Sequence, residues 1–187
     1  MVFKIVTDST ADLPTSYIKE HEICVLGLTI QLEGATFDTE GEAAISSQTL
    51  LEKMASGAKP TTSQVNVGQF EAVFREVAKA GEALLYIGFS SNLSGTYQSA
   101  VIAKEMVMDE YPEAIIELFD TKGATIGEGY LVMKAVEARE EGKTLAQTLA
   151  LVANLAPRLH TYLLVDDLNH LVRGGRLSKA AAMIGGL

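Results

Sequence analysis

The chain has 187 residues, room for one large domain or one domain plus part of another, and a hydrophobic share of 48% is ample for a core. A net charge of −9 and a pI near 4.8 argue against a nucleic-acid backbone or an anionic membrane surface as main partner. The single Cys24 has no mate for an internal disulfide and fits a reducing compartment, and no apolar stretch approaches the ~18 residues of a membrane span.

In chain order, residues 2–6 read as a short buried strand that starts straight from Met1, with no signal peptide. The polar run Thr7-Asp8-Ser9-Thr10-Ala11-Asp12-Leu13-Pro14 follows and offers caps for a helix around 15–20. Residues 23–32 are strand-like, and Glu33-Gly34 reads as a hairpin turn into 35–38. Ser46 and Ser47 precede a short amphipathic helix carrying Leu50, Leu51 and Met54. Pro60-Thr61-Thr62-Ser63-Gln64 then reads as a hydroxyl-rich loop opening the next helix, in which Val67, Phe70, Val73, Phe74 and Val77 recur at helical spacing.

A strand over 83–89 enters the turn Ser90-Ser91-Asn92-Leu93-Ser94-Gly95-Thr96, and 97–108 reads as helix. A strand over 114–119, helices over 125–141 and through Leu145, Leu149, Val152 and Leu155, and a strand over 162–165 complete the pattern. The four strands at 2–6, 83–89, 114–119 and 162–165 are apolar throughout, as strands buried on both faces are, and helices separate them. The prediction is an α/β fold with a mainly parallel sheet flanked by helices. Its ligand site should lie beyond the carboxyl ends of the strands, where the turn 88–96 falls.

Two uncharged, oxygen-rich segments that lead into helices suit an anionic headgroup, because the first N–H groups of a helix are unpaired and partly positive. His21, His160 and His170 lack ligand-like spacing to each other or to Cys24, which argues against zinc. Gly123, Gly127 and Gly129 fit neither a dinucleotide fingerprint nor a Walker loop, which argues against an ATP site in this chain. No general base or nucleophilic dyad stands out. A small phosphorylated metabolite, bound by an enzyme or sensor, is the alternative occupant of the two hydroxyl-rich segments. The last stretch differs in character: Arg173-Gly174-Gly175-Arg176 is a glycine pair flanked by arginines, followed by an apolar run.

Four stretches together resemble the DegV family, the fatty-acid-binding subunits of bacterial fatty-acid kinase. They are residues 7–14, residues 60–64, residues 90–100 and Arg173-Gly174-Gly175-Arg176-Leu177-Ser178, and Asp120 ahead of the glycine-bearing helix adds to the likeness. The resemblance implies a DegV-like N-terminal α/β domain over 1–158 and the beginning of a C-terminal lipid-binding domain over 159–187. The second domain would be incomplete, since family members run on for roughly half as long again. It implies a long-chain fatty acid as ligand, no cofactor, no metal, no nucleic acid and no stable membrane insertion, in a cytoplasmic protein without catalytic residues of its own. The acid's carboxyl group would rest on Thr61, Thr62 and Ser63 from one segment and Ser91, Ser94, Gly95 and Thr96 from the other. A separate ATP-binding kinase subunit would phosphorylate it, and the acyl phosphate would feed phospholipid synthesis. Arg173 and Arg176 become candidate contacts for that partner or for the carboxyl group. Val65 stands where the family usually has proline.

Overall fold

The run Phe3-Lys4-Ile5-Val6-Thr7-Asp8 forms strand β1 (Phe3–Asp8), buried at every position but Lys4. Such a strand needs partners on both edges and cover on both faces. Strand β2 (Cys24–Leu26) pairs with it in parallel on one edge and β6 (Ala83–Gly88) on the other, while β7 (Ile115–Asp120) extends the sheet in the order β2-β1-β6-β7. This computed structural model describes residues 3–41, 44–162, 164 and 168–177.

Helices α3 (Val67–Lys79) and α4 (Thr96–Glu110) cover one face; α1 (Thr15–Glu20), α5 (Thr125–Glu140) and α6 (Leu145–Leu155) cover the other. Alternation along β6 divides the two cores. Leu84 and Tyr86 join Phe70, Phe74 and Ala103, whereas Leu85 and Ile87 join Leu131, Val132 and Val136. Cys24 packs against the first core. Capping boxes fix the starts of α3 (Asn66 with Gln69) and α6 (Thr144 with Gln147).

A second, antiparallel sheet has the order β4-β3-β5, from β3 (Thr29–Leu32), β4 (Ala35–Asp38) and β5 (Thr61–Ser63). Glu33 and Gly34 both have positive φ, 52° and 82°, the backbone of a tight two-residue hairpin turn. Helix α2 (Ser47–Ala55) follows β4, capped by the Ser46 hydroxyl.

Three expectations need correction. Residues 23–32 are two strands in different sheets, split at Gly27-Leu28. There the Leu28 N–H donates to Ser9 Oγ and its carbonyl accepts from Thr39, so both groups leave the ladder. Thr61, Thr62 and Ser63 form a strand against Gln31, Ile30 and Thr29 rather than a loop opening a helix; the helix is capped by Asn66. Threonine is β-branched and suits a pleated strand, so hydroxyl content alone did not distinguish cap from strand. Among the described residues the fourth strand of the parallel sheet is β2; of the expected strand over 162–165, Tyr162 and Leu164 lie in no strand and are 90% and 101% exposed, and residues 163 and 165 lie outside the described set. The short helix α7 (Asn169–Arg173) ends at the arginine-glycine motif, and the apolar run expected after it lies outside the described residues.

Candidate functional site

From β1 the chain turns to β2 on one side, and β6 lies on the other. The carboxyl ends of β1 and β6 therefore part at a topological switch point, where open α/β sheets leave a crevice. Asp8 closes β1 and is fully buried. Its carboxylate accepts from the Thr10 N–H (3.1 Å), Thr10 Oγ1 (2.6 Å), Tyr86 Oη (2.7 Å) and the Phe89 N–H (3.1 Å). One side chain thus ties the 3-10 turn Ser9–Ala11 to the start of the loop after β6.

That loop is built on Ser90. The Ser90 N–H donates to the Gly123 carbonyl, its own carbonyl accepts from the N–H groups of Leu93 and Ser94, and its Oγ accepts from the Asn92 N–H. Ser94 Oγ accepts from the Thr96 N–H and lies 2.9 Å from Thr96 Oγ1 at the start of α4. Gly95 then lets the first hydroxyl segment approach, since a Cβ there would lie 2.2 Å from Gln64 Oε1. Gln64 Nε2 donates to Ser99 Oγ at 2.8 Å and holds that contact.

A cleft of about 800 Å³ opens where these parts meet. Thr62, Ser63 and Gln64 line it from one segment and Phe89, Leu93, Ser94 and Gly95 from the other. Leu171, Gly174 and Arg176 contribute from the chain's last stretch, and Thr10 and Leu28 complete it. Arg176 Nε donates to the Leu93 carbonyl at 3.1 Å, so a guanidinium sits beside the hydroxyls. Leu28, Phe89, Leu93 and Leu171 supply apolar wall.

Of the expected residues, Thr62, Ser63, Ser94, Gly95 and Arg176 line this cleft. Thr61, Ser91, Thr96 and Arg173 do not line it. Thr61 is exposed on β5 opposite Gln31, Thr96 is fully buried at the head of α4, and Arg173 is exposed. Ser91 takes a 2.6 Å hydrogen bond from Lys122 Nζ, and its N–H donates to Asp120. Burial opposes ionisation of Asp120, but hydrogen bonds from Lys122 and Ser91 outweigh it and hold the carboxyl group below its ordinary value.

Sequence reasoning missed Thr10, Lys122 and, above all, Glu128. Glu128 is fully buried in α5, with Thr10 Oγ1 2.8 Å from Oε2 and Thr7 Oγ1 3.3 Å from Oε1. Burial, reinforced by the Asp8 charge, raises its pKa from 4.5 to about 9. A signal was present: glycines flank it, and a Cβ on Gly129 would lie 2.3 Å from the Ala11 carbonyl oxygen, so α5 packs directly on the 3-10 turn. Among the described residues, no three His, Cys, Asp or Glu side chains gather as metal ligands, and no helix is long and apolar enough to cross a membrane.

Comparison with known proteins agrees with the fold. The chain is 54% identical over 187 residues to a DegV domain-containing protein of Streptococcus pyogenes serotype M1 and covers 65% of that protein's length. It superposes on a crystal structure described as DegV, a fatty acid binding protein from Bacillus subtilis, with TM-score 0.86 and 32% identity, covering 100% of this chain and 65% of that one. A structure titled for fatty acid binding of a DegV family protein from Thermus thermophilus matches with TM-score 0.83 and 35% identity over the same shares. The chain thus spans just under two thirds of the length of these relatives. The family model described as "Uncharacterised protein, DegV family" matches residues 2–187, and the chain belongs to the DegV family.

Proposed function

We propose that this chain binds a long-chain fatty acid, with the carboxyl group in the cleft between β5 and the loop after β6. The observation that carries this reading is the convergence of Thr62, Ser63 and Ser94 with Arg176 in one cleft whose remaining walls include Leu28, Phe89, Leu93 and Leu171. Hydroxyls donate to the carboxylate oxygens, the guanidinium balances the charge, and the apolar side chains receive the start of the tail. The solved relatives from Bacillus subtilis and Thermus thermophilus, described by their fatty acid binding, support the same ligand class.

On this reading, residues 1–158 form the carboxyl-holding domain and those from 159 onward begin a lipid-binding one. The bound acid is presented to a separate ATP-binding kinase subunit in the cytoplasm, and the acyl phosphate passes to phospholipid synthesis. Support for a partner-facing rim comes from the exposed Arg173 and Arg176 in a chain of net charge −9. Native mass spectrometry of protein purified from cells tests the ligand: an acyl chain should co-purify, and Ser94→Ala or Thr62→Val should cut oleate retention. Inorganic phosphate should not compete. A protein extended to the length of its relatives that takes up no oleate would overturn the reading, and displacement by phosphate would favour a phosphorylated metabolite.

A further inference from the structure

Thr10 lines both the carboxyl cleft and an adjoining recess of about 370 Å³, and two buried carboxyl groups stand behind it. Their protons can be counted. Asp8 receives three donors apart from Thr10 Oγ1, namely the Thr10 and Phe89 N–H groups and Tyr86 Oη, which identifies it as the ionised member. Thr7 Oγ1 lies 2.8 Å from the Ile87 carbonyl, which can only accept, so the Thr7 proton goes there. Thr10 Oγ1 lies 2.6 Å from Asp8 Oδ1, so the Thr10 proton goes to that carboxylate. Each hydroxyl has spent its single proton and offers Glu128 a lone pair. A carboxylate at Glu128 would face acceptors alone.

We propose that Glu128 is a neutral carboxylic acid that donates its own proton to Thr10 Oγ1, and that it is the positioning residue for the Thr10 wall of the cleft. The cleft's occupant rests on the fatty-acid reading above; the proton assignment does not. Donation runs from Glu128 to Thr10 to Asp8, and the raised pKa of Glu128 agrees with it. Among the described residues, the titratable groups facing Glu128 are Asp8 from β1 and Tyr86 from β6. Burial and the Asp8 charge keep the Tyr86 hydroxyl protonated well above its ordinary value. Ionised, Glu128 would set a second negative charge against Asp8 and two lone pairs. Thr10 would then have to turn or α5 to retreat from the 3-10 turn, and the close approach at Gly129 makes these one movement.

Carboxyl-13C glutamate labelling tests the proton, with the Glu128 resonance identified by its loss in Glu128→Gln. Its midpoint should lie about four pH units above that of an ordinary glutamate; a midpoint in the ordinary carboxyl range would overturn the proposal. The Thr10 methyl resonance should move with that same midpoint in the wild type and stay still in Glu128→Gln, whereas equal movement in both, or in neither, removes the positioning role. Oleate affinity should fall about tenfold from neutral pH to about pH 10 in the wild type and stay flat in Glu128→Gln. Parallel profiles would refute the link to the cleft. If neither protein bound oleate at any pH, the fatty-acid reading would fall while both resonances still decided the proton. Should Glu128→Gln not fold, Thr10→Val must shift the midpoint of the high-titrating resonance; an unmoved midpoint rules out the donor link.

Discussion

A neutral, buried Glu128 makes a thermodynamic prediction whose sign is unusual for a carboxyl group. Its folded pKa of about 9 stands above the 4.5 of the exposed group, so between these values the folded chain holds one proton more than the unfolded chain. The stability it permits is fully present below the lower value and is lost progressively as pH rises from there to the upper one, at about 1.4 kcal/mol per pH unit. At pH 7 that loss amounts to about 3 kcal/mol, a large share of a typical domain's total. Glutamine has the same shape, keeps a donor for Thr10 and has no proton to lose. The stability of Glu128→Gln minus that of the wild type should therefore grow by about 4 kcal/mol between pH 5 and pH 8. Urea unfolding of both proteins at intermediate pH values measures it, and other titrating groups cancel because they are common to the pair. A difference that stays constant with pH would show that native Glu128 is ionised and that the proton count is wrong.

The same geometry fixes other expectations. Tyr86→Phe keeps the ring packed 4.9 Å from that of Phe70 but strips Asp8 of one donor, and should cost about 2 kcal/mol in urea unfolding. Gly129→Ala forces α5 off the Ala11 carbonyl, should cost about 1–3 kcal/mol, and should weaken oleate retention because Thr10 moves with its neighbour. Thr148 Oγ1 is buried without a hydrogen-bond partner among the described residues, so Thr148→Val should stabilise by about 1 kcal/mol; a loss of that size would reveal a hidden partner. Arg176→Ala should weaken oleate binding more than Arg173→Ala, since only the former lines the cleft, and the reverse order would count against the carboxyl assignment.

What could be read in the sequence was whatever local pattern decides. The unbroken apolar run of β6, the helical spacing from Val67 to Val77 and the Glu33-Gly34 hairpin each specify an element within a dozen residues. β2 was read as part of one strand over 23–32; its place in the parallel sheet escaped because it is three residues long and owes that place to pairing with Val6, Thr7 and Asp8. β5 was misread because two threonines and a serine serve a cap or a strand equally well. The deciding capping box at Asn66 and Gln69 lay just beyond them. The site divides in the same way. Its two hydroxyl segments were visible, but their meeting depends on Gln64 reaching Gly95 across 31 positions, a closure that neither segment announces. Glu128 was the hardest to find, since a glutamate in a helix reads by default as solvated. Yet it is the sole acidic residue of the chain with glycine on both sides. Glycine at those two positions lets α5 lie against the turn after β1 and against Thr161, which shuts water away from the carboxyl group between them. An acid framed by glycines in the first turns of a helix marks a close backbone approach here, and the buried charge problem that follows is solved by a proton.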